Sequence, residues 1–218
     1  MTCSVNDVFR LEWIKTAIDA TDSSGGVLIY RFSGGASTPG GTIDASRYEF
    51  VGSGDFPLAV KSVETADEGR YWCKILTVAA NPGESNVPLE VRVPPTNISI
   101  TYGGQKYESG EIEVKAGMDH KFTCSVPAIK PEASFEWELG STSLRGIDSN
   151  TSVGGGLVDS SSLLVVDLDA TQNIQLNCSA TNKRIGPVYS DIDVVVTLVV
   201  TGNLIFPFLI CILNNRIK

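Results

Sequence analysis

The sequence predicts an all-β chain of two tandem β-sandwiches followed by an apolar carboxyl-terminal segment. Three observations predict it. Cysteine, tryptophan and cysteine recur in that order twice, as Cys3, Trp13, Cys73 and as Cys124, Trp137, Cys178. Apolar residues alternate with polar ones around them, the period of a strand with one buried face. Glycine-rich and proline-rich breaks separate these runs. With 218 residues the chain has room for one or two domains.

In the first half, Leu58 and Val60 alternate as a strand, and Glu64 through Gly69 reads as a polar corner. Tyr71 lies two residues before Cys73, where a corner tyrosine bonds back to upstream backbone. Two further strands, Val27-Leu28-Ile29-Tyr30 and Arg47-Tyr48-Glu49-Phe50, fit between Trp13 and Asp67. The pairs Gly25-Gly26, Gly34-Gly35 and Gly40-Gly41 separate them. The triplets predict disulfides Cys3–Cys73 and Cys124–Cys178, each closed over a buried indole, Trp13 or Trp137. The alternative is free buried thiols in a cytosolic protein. Disulfides imply an oxidising compartment. Each would close a long loop and stabilise its domain by roughly 4 kcal/mol.

With those residues in place, the first half resembles variable-set domains of the immunoglobulin superfamily. The resemblance implies that Arg47 pairs with Asp67 across the base of the sandwich. The second half resembles the constant-2 or intermediate sets: its cysteines are closer together, and Cys178-Ser179-Ala180-Thr181-Asn182 matches their Cys-x-Ala-x-Asn. It departs from them at the corner, where residues 168–176 hold no Gly-x-Tyr. Val93-Pro94-Pro95 stops the last strand of the first half, and Ile98 and Ile100 restart alternation. The expected domains are therefore 1–94 and 95–197. In tandem they resemble nectin, nephrin-like and costimulatory-ligand ectodomains, which bind other cell-surface proteins.

Both ends carry expectations. Cys3 belongs to the second strand of a sandwich and no leader precedes it, so the chain reads as lacking its first strand and signal peptide. Residues 198–213 are apolar and Arg216 and Lys218 follow, as in a membrane stop with a short cytoplasmic tail at 214–218. Sixteen residues span only about 24 Å as a helix, short of the ~30 Å hydrocarbon core. Asn203 and Pro207 weaken insertion further. A cleaved lipid-anchor signal and a sticky truncated tail are the alternatives.

The chemistry that is missing narrows function. Seventeen basic residues against 25 acidic ones give a net charge of −8, which disfavours nucleic acid as a partner. His120, the lone histidine, is expected at the surface and supports neither a zinc site nor a serine triad. Asp167 with Asp169 and Asp191 with Asp193 could face calcium, but solvated strand edges explain them more simply. Gly154-Gly155-Gly156 opens no helix and reads as a turn. The expectation is a protein without enzymatic activity, cofactor or metal. Asn97, Asn150 and Asn177 each begin an Asn-x-Ser/Thr acceptor, Asn150 in a polar loop and Asn177 beside a bridging cysteine.

Strand parity places a partner surface. If Trp13, Tyr71 and Cys73 point inward, then Glu12, Ile14, Trp72, Lys74 and Leu76 point to the outer face of the same sheet. Tyr30 is expected to join them. An exposed indole among aliphatic side chains marks an interface, unless the stems of Lys15 and Lys74 cover it. The expected function is adhesion or recognition at the plasma membrane, through contact with another cell-surface protein or a second copy. The alternatives are an immune-regulatory ligand or receptor, and a secreted module that recognises glycans or microbial surfaces.

Overall fold

The computed structural model describes residues 8–50, 57–77, 82–168, 173–182 and 192–202. The chain divides into two compact units, Met1–Val93 with Val153–Leu157, and Pro94–Ser152 with Val158–Lys218.

The described part of the first unit contains β1 (Val8–Thr16), β2 (Val27–Ser33), β3 (Ala36–Pro39), β4 (Tyr48–Phe50), β5 (Leu58–Val60), β6 (Gly69–Thr77) and β7 (Pro82–Leu89). One sheet has the order β3-β2-β1-β6-β7, and β4 pairs with β5 in a second. The alternation read from the sequence builds the core: Leu11, Trp13, Ile29, Tyr48, Leu58, Tyr71 and Cys73 are all buried together. Register fixes the faces. Trp13 pairs with Cys73, Ile14 with Trp72, Glu12 with Lys74 and Arg10 with Leu76. Directly opposite residues share a face, so one set is internal and the other external. Cys73 is disulfide-bonded; its expected partner, Cys3, lies outside the described residues.

The corner of this unit is built on Asp67, 1% exposed. Its Oδ2 accepts from Arg47 Nη2 at 2.5 Å and from the Glu64 N–H at 2.7 Å, and its Oδ1 accepts from Tyr48 Oη at 3.3 Å. The Tyr71 hydroxyl donates to the Asp67 carbonyl at 2.9 Å. Burial pushes the Tyr71 phenol far above its ordinary pKa, so it stays a donor.

The second unit contains β8 (Ser99–Tyr102), β9 (Gln105–Tyr107), β10 (Glu111–Lys115), β11 (Asp119–Ile129), β12 (Ala133–Leu139), β13 (Thr142–Leu144), β14 (Ile147–Gly154), β15 (Leu157–Asp167), β16 (Asn173–Asn182) and β17 (Ile192–Thr201). Two sheets, β10-β17-β16-β12-β13 and β14-β15-β11-β8-β9, enclose its core. The Cys124–Cys178 disulfide joins them, with Cα atoms 6.5 Å apart. Trp137 is 1% exposed, and its Nε1 donates to Ser162 Oγ at 3.1 Å. The indole thus keeps a partner inside an otherwise apolar layer.

Two expectations change here. His120 is not at the surface: it is 3% exposed, its Nδ1 lies 2.9 Å from the Tyr102 hydroxyl, and its Nε2 lies 2.7 Å from the Lys115 carbonyl. Alternation with Phe122 and Cys124 carries it inward, and the two partners satisfy both ring nitrogens. The last strand also runs past residue 197. Leu198 and Val200 are buried core residues of β17, which pairs in parallel with β10 as far as Thr201. The apolar stretch beyond Thr201, residues 202–213, would span about 18 Å as a helix, against the ~30 Å hydrocarbon core. Among the described residues no helix is long and apolar enough to cross a membrane. Residues 203–218 lie outside the description, as do Asp169 and Asp191.

Candidate recognition surface

The outer face of the first unit's five-stranded sheet is the candidate site. Each strand contributes every second residue: Arg10, Glu12, Ile14 and Thr16 from β1, and Arg70, Trp72, Lys74 and Leu76 from β6. From β2 it takes Leu28, opposite Ile14, and Arg31, opposite Glu12. Ile14, Lys74 and Leu76 are half-buried.

Trp72 faces out, as parity requires, but it is not exposed. It is 6% accessible, and its Nε1 donates to Thr16 Oγ1 at 2.9 Å. The residues two before and two after it on β6 both hold the loop at 17–26. Arg70 Nε donates to the Ile18 carbonyl at 3.1 Å, and Lys74 Nζ to Ser23 Oγ at 2.8 Å. Ser23 is itself buried. At the loop's end Gly26 passes so near Ile14 that a Cβ there would fall 2.5 Å from Ile14 Cγ2. The chain's own loop therefore lies over the indole. The expectation of a wet aromatic anchor at Trp72 is corrected: a loop distant from it in sequence covers it, and that saves the cost of hydrating the ring.

Tyr30 is also corrected. A β-bulge between Trp13 and Ile14 shifts the register, so Tyr30 sits opposite internal Trp13 and packs on the core. An extra residue in β2 reverses the parity that simple counting assigns. Phe32, opposite Leu11, also packs on the core.

What remains accessible is a charged centre. The Glu12 carboxylate takes Arg10 Nη2 at 2.5 Å and Arg31 Nε at 2.8 Å. The guanidinium side chains are each 43% exposed, and Glu12 is 18% exposed. Burial opposes ionisation of Glu12, and the two guanidinium groups overcome it, holding the carboxyl below its ordinary range. Beside it, Lys74 lies 3.7 Å from Glu84 on β7. One carboxylate thus orients two guanidiniums and leaves several of their N–H donors facing solvent. Sequence parity found Glu12, Lys74 and Leu76. It missed Arg10, which shares the parity of Glu12 two residues on, and Arg31, whose face depends on the bulge.

The acceptor asparagines differ in setting. Asn97 and Asn150 are exposed, and Asn150 Oδ1 accepts from Ser160 Oγ at 2.7 Å. Asn177 is in β16, between Glu138 on β12 and Val195 on β17. Its Oδ1 is buried and has no hydrogen-bond partner among the described residues.

No family model matches the sequence. Over 104 residues, 46% of this chain, it is 33% identical to Cell adhesion molecule 1 of Homo sapiens and 32% identical to that of Mus musculus. The chain spans about a fifth, 21%, of the length of these curated relatives. Among solved structures it is similar to Rst D1-D2, with a TM-score of 0.65 at 21% identity over 92% of this chain and 90% of that one. It is similar to the ectodomain of mouse nectin-like molecule 4, with a TM-score of 0.62 at 17% identity over 93% and 63%. It is also similar to the amphioxus IgVJ-C2 molecule, with a TM-score of 0.60 at 21% identity over 92% and 94%. With its paired sheets, buried tryptophans and cross-sheet disulfide, the chain has a fold of two tandem immunoglobulin-like β-sandwiches.

Proposed function

We propose that this chain is the recognition part of a cell-surface protein, and that it binds another cell-surface protein reversibly through the outer face of its first unit. The observation that carries the reading is the Arg10–Glu12–Arg31 set, held by charge-assisted bonds and still accessible at the centre of a five-stranded sheet. Half-buried Leu76 and Ile14 flank it with apolar surface. Arginine beside aliphatic surface is a favoured composition for an interface centre. The match to Cell adhesion molecule 1 over nearly half the chain supports adhesion as the biological setting.

In this reading the second unit is a spacer that carries glycans on Asn97 and Asn150, while half-burial in a central strand leaves Asn177 bare. Membrane attachment is a separate question. After carbonate extraction, retention in the pellet supports an anchor in the apolar stretch beyond Thr201, and release favours a secreted module.

The test of the binding face uses the full chain displayed on beads and offered to cells. Arg31→Glu should cut capture by about tenfold or more, since a like charge is brought against Glu12 and the partner. Equal capture by wild type and variant, with unchanged thermal midpoints, would remove the outer face as the contact surface.

A further inference from the structure

The second unit carries a charge pattern that the recognition reading leaves unused. On its sheet β10-β17-β16-β12-β13, the internal residues Ile112, Val114, Trp137 and Val194 alternate with external carboxylates. Those are Glu111 and Glu113 on β10, Glu136 and Glu138 on β12, and Asp193 on β17, all exposed. None of the five is in an ion pair with a described residue. Lys115 is the cation that shares their parity on β10. Leaving five carboxylates on one face unpaired costs mutual repulsion, and a cationic partner would relieve it.

The face also has relief. A groove of about 740 Å³ opens at the β13 edge of this sheet, with Glu136, Glu138 and Asp148 (on β14 of the facing sheet) as its acids. Phe135 and Leu144, which share the inward parity of Trp137 and pack on the core, form its apolar inner walls. Arg145 also lines it, one cation against three carboxylates. Apolar walls with carboxylates beside them suit the guanidinium of an arginine, whose stem packs while its planar head takes bidentate bonds.

We infer that this acidic face docks the Arg10–Glu12–Arg31 centre of the first unit on a second copy of the chain. The inference rests on the recognition reading above, and names the partner as the chain itself. The same sequence supplies both halves: two half-exposed guanidiniums on one sheet and unpaired acids with a groove on another. The contact joins unlike faces, so two copies close it by exchanging first and second units, or extend it head to tail. Each face measures about 19 Å across five strands and about 23 Å along seven residues. That is roughly half the ~800 Å² per partner of a stable complex, so the contact is weak, sensitive to salt, and effective only when many copies act together. It also requires Asn177, in the middle of the acidic face, to be free of glycan.

The experiment is two-colour bead clumping with the full chain. One variant carries Glu136→Lys and Glu138→Lys, the other Arg10→Glu and Arg31→Glu. Thermal midpoints check that each folds, with Glu138→Gln and Arg31→Gln as milder replacements. Wild-type beads should clump, each variant alone should clump about tenfold less or lower, and mixing the two variants should restore clumping. Restoration is specific to this pairing, because the intact arginine face of one variant then meets the intact acidic face of the other, as the two reversed faces also do. Wild-type beads that stay dispersed overturn the inference. So does full clumping by the Glu136/Glu138 variant; if the Arg10/Arg31 variant is then still impaired, the first unit's face meets a different surface of the second copy and the recognition reading survives. Full clumping by both variants overturns the inference, and the capture of cells by the Arg31→Glu chain then decides the recognition reading separately.

Discussion

The indole Nε1 of Trp72 donates to Thr16 Oγ1 at 2.9 Å, from β6 to the neighbouring β1. A tryptophan pointing away from the core is thereby made part of the fold. Arg70 and Lys74 hold the loop at 17–26 over it, so the apolar area that would mark an interface is already spent on the chain itself. What stays accessible on that face is the charged centre around Glu12, the contact surface proposed above.

Trp72 should therefore behave as a core residue. Trp72→Ala should destabilise the first unit by about 3–5 kcal/mol. Thr16→Val, which leaves the indole N–H unpaired, should cost about 1–2 kcal/mol. Denaturant unfolding measures both. Unchanged midpoints would return Trp72 to the role of an exposed anchor.

Glu12 gives a pH dependence. Its carboxyl is held below the ordinary value of 4.5 in the folded chain, burial opposing and Arg10 and Arg31 prevailing. Because the folded value lies below the unfolded one, Glu12 stabilises the fold at neutral pH. That contribution is complete above 4.5 and is lost as pH falls through the folded value. Thermal midpoints of wild type and Glu12→Gln should differ near neutrality and converge in acid. A constant difference at every pH would show that the two arginines do not stabilise the charge.

Gly146 tests the second core. A Cβ there would lie 2.3 Å from Ser162 Oγ and 2.7 Å from Trp137 Nε1, the two atoms that form the indole's hydrogen bond. Gly146→Ala should break that bond and cost about 1–3 kcal/mol, with a shift in tryptophan fluorescence. An unperturbed emission spectrum would mean that the strand after β13 yields instead.

The two cores were legible in the sequence because alternation is local. Tyr71 and Phe122 face inward by parity with Cys73 and Cys124 on their own strands, and Trp13 and Trp137 are marked as core by their place in the two Cys-Trp-Cys triplets. His120 obeys the same parity, and the expectation of a surface histidine placed it just before the strand that in fact includes it. The Tyr102 and Lys115 partners that make its burial tolerable come from other strands and leave no mark near residue 120. Tyr30 was misplaced and Arg31 missed for another reason. One bulge residue reverses every face beyond it, and nothing in Val27-Leu28-Ile29-Tyr30 distinguishes the bulged position.

By itself the sequence determined which side chains are apolar, how they alternate, and where cysteines and glycines punctuate them, and these suffice for two stapled sandwiches. Only the tertiary structure decided which outward residues stay wet. That choice belongs to a loop crossing strands far from it in sequence, from Ile18 to Arg70 and from Ser23 to Lys74. Burial on a face is settled by whatever the chain lays across it, and hydrogen bonds between residues about fifty positions apart have no local signature to read.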